Sequence, residues 1–503
     1  MFFEHRHWQK IDMQLSKSDY MLFLRHPAWL WIKKHAKHIL PPVDPALQAR
    51  FDDGHAFEPY TEALFPDLVR LGFSDFSGYR SLTSLTSKTW QEGAKAVAQG
   101  RYEDGPITCI TDVVSRDGEG YVLTEIKSST SAKPEHAFDL AFQRVVLEGA
   151  GLPISRCEVA HVNRDYVRTG QIASKELVAI TDITEAVENQ IENTRTWIDQ
   201  ALNVVRSNTM PDPAPERARL KSYDEWLEIR EKLDPPLASD SIHHLPFINA
   251  KQASALIEEG ITSIEAVDDP SMLGKSTRRY LAARAKGSRT VDCDALDRFL
   301  SEIVYPVYYF DYETTQSLLP PWNGTRPYQQ VPFQYSLHIQ REPDGDIEHR
   351  EYLHRDESNP MPALLERLRQ DVGDVGSVLV WYEPFEKSRN TEMAAAFPEH
   401  AAFLGDLNER VIDLMKPFSD ETITDPEFMG SASIKKVLPA LVPALAYDDL
   451  DIKEGASASR LWKEVTLTNP EASERDKVYA DLVDYCTRDT WAMVAIHRTL
   501  MAM

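Results

Sequence analysis

Residues 305–339 read YPVYYFDYETTQSLLPPWNGTRPYQQVPFQYSLHI, and their pattern decides the fold of the C-terminal part of the chain. The opening YPVYYFD is β-branched and aromatic, as is FQYSLHI at 333–339, so both predict short strands separated by a turn-rich loop. Asp311 and Glu313 stand at i and i+2, on one face of the first strand and at its end. Two acids at the tip of an otherwise buried strand are costly unless they are paired or bound to metal. Hydrolysis of a phosphodiester by two metals needs carboxylates from several elements, converging on cations roughly 3.5–4 Å apart.

Further strands are predicted at 350–354 and at 377–382, SVLVWY. The second of these runs into a helix through VLVWYEPFEKSRN, which puts Glu386 in the first helical turn. Acids are favoured there for dipole reasons as well. In DYCTRDTWAMVAIH, Tyr485 and Asp489 are four apart and face one side of a late helix. Strands followed by helices over residues 301–503 suit one α/β domain.

Taken in order, these fragments resemble the DEDD exonucleases of the RNase H-like class, in the subclass that carries a tyrosine. The resemblance implies a 3′–5′ exonuclease in which Asp311, Glu313, Glu386 and Asp489 hold Mg²⁺ or Mn²⁺ and Tyr485 orients the attacking water. Glu386 is a departure, since most relatives have Asp there. The block GTRPYQQVPFQYS, with the later Phe385-Glu386-Lys387, resembles an uncharacterised bacterial family of two-domain proteins. Arg326, Gln329 and Gln330 fit contacts to phosphate or base edges, or equally a buried loop held by ordinary hydrogen bonds. Asp413 in RVIDLMKPF and Lys435-Lys436 in GSASIKKVLP resemble the supporting and phosphate-binding positions of such enzymes.

The N-terminal part carries a second constellation. ITDVVSRDGEGYVLTEIKSST predicts a hairpin turning at DGEG, with Asp112 on the first strand and Glu125 and Lys127 sharing a face of the second. This resembles the D…ExK core of PD-(D/E)XK, restriction-endonuclease-like nucleases, which implies that Asp112 and Glu125 bind Mg²⁺ while Lys127 offsets developing charge. The resemblance extends to RecB-type members. DGHAFE would bring Glu58 to the metal, FDLAFQRVVLEG would bring Gln143 near it, and LSKSDYMLFLRHPAWLWI is similar to the start of CRISPR-associated RecB-like exonucleases. Those relatives have a Cys before the proline and three later ones for an iron–sulfur cluster. Here His26 precedes Pro27 and no late Cys triplet exists, so no cluster is expected.

The resulting domain scheme is 1–210, RecB-like nuclease; 211–300, helical; and 301–503, DEDD exonuclease. Within the middle part, residues 245–266 have a helix-hairpin-helix rhythm with Gly260 at the turn, although a plain two-helix spacer is the commoner origin of such a pattern. Cys109, Cys157, Cys293 and Cys486 are scattered without a CxxC pair, which argues against a disulfide framework or a four-Cys metal site. No run of 18 apolar residues exists and the first residues lack the apolar core of a secretory signal, so a cytoplasmic protein with no membrane partner is expected.

The expected partner is nucleic acid, DNA before RNA, in processing, repair or defence against foreign DNA. A partner helicase and self-association stay open. The net charge of −24 works against tight coating of a duplex, which rests on Lys and Arg. It leaves two alternatives: an RNase or exonuclease of short oligonucleotides, and an inactive scaffold that binds nucleic acid.

Overall fold

The computed structural model describes residues 14–42, 45–220, 223–445, 450–467 and 472–503. They divide into two compact units, Met1–His243 with Asn249–Ile261, and His244–Ile248 with Thr262–Met503. The stretch 211–300 is therefore shared between the units. Its 245–266 portion holds the helix Ala250–Glu258, a turn at Gly260 with φ of 82°, and a single 3-10 turn at Ile264–Ala266.

In the first unit the strands are β1 Leu15–Ser16, β2 Leu68–Arg70, β3 Ala96–Ala98, β4 Arg101–Asp104, β5 Ile107–Ile110, β6 Val113–Asp117, β7 Gly120–Lys127, β8 Ile154–Val162 and β9 Val178–Asp182. Six of them form a mixed sheet in the order β2-β3-β6-β7-β8-β9, and β1-β5-β4 form a smaller one. The first strand of the expected hairpin starts only at Val113, because the chain bends at Thr111-Asp112 and the preceding β5 belongs to the smaller sheet. Asp112 thus lies just before β6 rather than on a strand. The hairpin closes on the pair Asp117–Gly120, with Gly118 at φ of 61°, a left-handed conformation that glycine adopts without penalty. Strands β7 and β8 are parallel and so need a crossover, which the helix Pro134–Gly149 supplies. Leu123, Val159, Leu140 and Phe142 close the core between helix and sheet.

The helix Lys17–Arg25 opens on a reciprocal cap: Ser16 Oγ accepts from the Asp19 N–H at 3.2 Å, and Asp19 Oδ2 accepts from the Ser16 N–H at 3.1 Å. His26 then caps the helix Pro27–His35, its Nδ1 accepting the Ala28 N–H at 3.1 Å, while Nε2 lies 2.9 Å from the Ala214 carbonyl. The imidazole holds two segments together.

In the second unit the strands are β10 Thr290–Val291, β11 Val307–Thr315, β12 Val331–Gln340, β13 Ile347–Leu353, β14 Ser377–Val380, β15 Val411–Asp413 and β16 Ile423–Thr424. The main sheet runs β13-β12-β11-β14-β15, and β12 alone is antiparallel to the other four. All ten residues of β12 are buried. One face meets the helix Pro360–Asp371, where Tyr335 donates to Asp371 at 2.7 Å. The opposite face is polar and meets the last helix, Ala472–Met501. There Gln334 Nε2 donates to the Leu482 carbonyl at 2.9 Å, and Ser336 and His338 both reach the Thr490 hydroxyl, at 2.7 and 2.8 Å.

Asp311 pairs with Ser336 and Glu313 with Gln334, so both acids point to the same side as that helix. Immediately after Glu313 the register slips by one residue, with Phe333 as the extra residue on β12. Among the described residues no helix is long and apolar enough to cross a membrane.

Candidate metal centres

Three elements supply the C-terminal centre. β11 brings Asp311 and Glu313, and the last helix brings Tyr485, Cys486 and Asp489 on one face. The third is the helix Glu383–Ala396, whose first turn holds Glu386. Its start is built with strain. Tyr382 has φ of 80°, in the left-handed region that costs a non-glycine residue roughly 1–2 kcal/mol. Asp413, at the end of β15, compensates: Oδ1 accepts from the Tyr382 N–H at 2.9 Å and the Met415 N–H at 3.0 Å, and Oδ2 from the Glu383 N–H at 3.1 Å. A residue resembling a supporting position therefore acts as a helix cap reached from the neighbouring strand.

The four acids act on one another. Burial pushes the Asp311 carboxyl well above its ordinary range, with Asp489 adding to it. Burial, Asp311, Asp489 and Glu386 do the same to Glu313, and Lys435 opposes them. Burial and Asp311 raise Glu386, whose side chain is almost fully enclosed. Its Oε2 has no hydrogen-bond partner among the described residues. A buried, unpartnered carboxylate oxygen beside other carboxylates is the donor set that a divalent cation satisfies, so these residues fit the metal that the sequence implies.

Two further features were missed in the sequence. Cys486, three residues before Asp489 and so on the same helical face, has its Sγ 3.9 Å from Asp311 Oδ2. Arg389, one turn after Glu386, bonds to Gln330, lies 2.9 Å from Glu392, and sits 5.3 Å over the Phe385 ring.

The other expected contacts divide. Lys435 Nζ lies 5.8 Å over the Tyr485 ring and bonds to the Lys453 carbonyl, at the edge of the acids. Lys436 is exposed on the next helical position. Gln330 joins the centre through Arg389. Gln329 instead closes its own loop, accepting from the Arg326 N–H at 3.0 Å, and the Arg326 side chain is exposed.

The N-terminal centre is a closed ionic ring. Asp112 Oδ2 accepts from the Ile126 N–H at 2.8 Å. Glu125 Oε1 takes hydrogen bonds from both Lys127 and Lys17, each at 2.7 Å, and its Oε2 takes one from Gln143 at 2.7 Å. Asp139 completes the ring at 2.8 Å from Lys127, 2.9 Å from Gln143 and 3.5 Å from Lys17.

Burial and the facing Glu125 push Asp112 up to about 7. Burial works to raise Glu125 too, but Lys127 and Lys17 outweigh it and hold that carboxyl well below its ordinary range. Lys17 and Asp139 escaped the sequence reading, although Asp139 is four residues before Gln143 on the same helix. Glu58 forms an ion pair with Arg70 at 3.0 Å.

Residues 308–433 match a family described as "Domain of unknown function (DUF2779)". That match takes in Asp311, Glu313, Glu386 and Asp413 and ends before Tyr485 and Asp489. The chain is 26% identical over 208 residues to the Mycoplasma genitalium protein titled "Uncharacterized protein MG366", covering 37% of this chain and 31% of that protein. It is 25% identical over 206 residues to the homolog from Mycoplasma pneumoniae, with the same coverage of each. The chain thus spans about a third of the length of the curated relatives it matches.

Proposed function

We propose that this protein is a metal-dependent nuclease with two centres: a 3′–5′ exonuclease of the DEDD type around Asp311, Glu313, Glu386 and Asp489, and a PD-(D/E)XK centre around Asp112, Glu125 and Lys127. The observation that carries the reading is the enclosed Glu386 carboxylate, unpartnered and facing the repulsion of Asp311. A fold tolerates such a group where a cation is to be held. The five-stranded sheet with one strand opposed to four supports an RNase H-like domain. The β6–β7 hairpin with its parallel crossover to β8 supports a restriction-endonuclease-like one.

In this reading Asp311, Glu313, Glu386 and Asp489 hold Mg²⁺ or Mn²⁺. The bound cations supply the electrophilic pull on the phosphate and neutralise charge growing on its oxygens. The Tyr485 phenol orients the attacking water. Lys435, beside Tyr485 and Glu313, meets the phosphate that the acids alone would repel. At the other centre Asp112 and Glu125 are the ligands, and Lys127 stabilises charge on the phosphate. DNA is the expected substrate.

The net charge of −24 favours a second reading, an exonuclease of RNA or very short oligonucleotides, which needs few phosphate contacts. The test is the full chain with Mg²⁺ or Mn²⁺ on end-labelled single- and double-stranded DNA, RNA and dinucleotides. Metal-dependent shortening from the 3′ end, abolished by Asp311→Asn, is expected. Cleavage of dinucleotides alone would select the second reading. No cleavage of any substrate would leave a binding scaffold.

A further inference from the structure

The C-terminal centre contains a donor that its carboxylate chemistry does not use. Cys486 is fully buried on the last helix, and its Sγ shares a cluster with one oxygen each of Asp311 and Glu313 in which all three atoms lie within 4.8 Å of one another. A cation about 2.3 Å from sulfur and about 2.1 Å from oxygen separates those two donors by roughly 3.5–4 Å. The observed separation of Sγ from Asp311 Oδ2 is 3.9 Å. The buried Glu386 carboxylate, whose Oε2 has no hydrogen-bond partner among the described residues, adds its negative charge to that of Asp311 and Glu313.

We propose that Cys486 is a metal ligand: with Asp311 and Glu313 it forms a mixed sulfur–oxygen site that takes a borderline-soft divalent cation such as Zn²⁺ or Co²⁺ in preference to Mg²⁺. The inference rests on reading the acids as a metal centre and adds which cation that centre selects. Hard Mg²⁺ draws little from a sulfur donor, whereas thiolate ligands favour softer ions. Without a cation the thiol keeps its proton, because burial and Asp311 oppose a second negative charge. Binding replaces the S–H bond with a metal–sulfur bond and releases one proton to solvent per cation.

Co²⁺ gives a direct readout on the full chain, since thiolate ligation produces an intense near-ultraviolet charge-transfer band that oxygen ligands do not. The band is expected in the wild type, retained in Cys109→Ser, Cys157→Ser and Cys293→Ser, and lost in Cys486→Ser and Asp311→Asn. By calorimetry Cys486→Ser should weaken Zn²⁺ binding roughly ten-fold or more, with Mg²⁺ binding unchanged. Co²⁺ uptake shown by visible absorption, without the near-ultraviolet band, would overturn the sulfur ligand and leave the acid centre standing. Failure of the wild type to take up Co²⁺, Mn²⁺ or Zn²⁺ would overturn both. The spectra of the wild type and of the three other serine variants decide the matter even if Cys486→Ser fails to fold.

Discussion

Glu386 shows what a single residue at this centre does for the protein as well as for the site. Asp311, Glu313 and Glu386 all have carboxyls raised in the folded state, first by burial and then by one another. The folded chain therefore keeps protons that the unfolded chain releases. Stability from these groups is fully present below the ordinary carboxylate range, near pH 4, and is lost as the pH rises through the raised values. Asp112, at about 7, adds in the same direction. Chelator-treated protein is thus expected to melt at a higher temperature at pH 5 than at pH 8, and Glu386→Gln should flatten that difference. Mn²⁺ at about a hundred times its dissociation constant should stabilise the wild type by about 2.7 kcal/mol. It should do little for the Gln variant. Calorimetric melting across pH, with and without the cation, measures both effects. An unchanged or lower metal-free melting temperature at pH 5 would refute the mutual repulsion.

At the scale of elements, the site depends on a helix start that cannot stand by itself. Asp413 supplies three backbone N–H groups with an acceptor and holds Tyr382 in its left-handed turn. Asp413→Ala should cost about 2 kcal/mol, the upper end for loss of a helix cap. It should also weaken divalent-cation binding, because Glu386 is one turn further on. Asp413→Asn, which keeps an acceptor, should recover part of both, as read by denaturant titration and calorimetry.

This arrangement was only partly legible in the sequence. β11 and β12 announce themselves by runs of aromatic and β-branched residues, and the i, i+2 acids give their own face. β15 has three residues, too few for a period. The helix Phe76–Gln91 was hidden by its serines and threonines, which compete for backbone hydrogen bonds. Its core face is Leu82, Thr86, Thr89 and Trp90. Lys17 reaches Glu125 across 108 positions of chain, a distance that no local spacing reveals.

At the scale of the whole molecule, each unit has its own core and its own buried acids, so unfolding is expected in two steps rather than one. Asp311→Asn should move one transition in Mn²⁺ and leave the other where it is. A single transition displaced as a whole would show instead that the units unfold together. The centre of the second unit has a further consequence, for biosynthesis. Cys486 and Asp311 are 175 residues apart, and the strand that carries Asp311 is complete long before the helix that carries Asp489. At about 5–20 residues per second, a ribosome needs on the order of ten to thirty seconds to bridge that gap. Until then the nascent chain has its first acids but not the fourth one that the proposed cation site needs. Chains interrupted before residue 489 would lack Asp489, and with it the last of the four acids that the proposed centre needs.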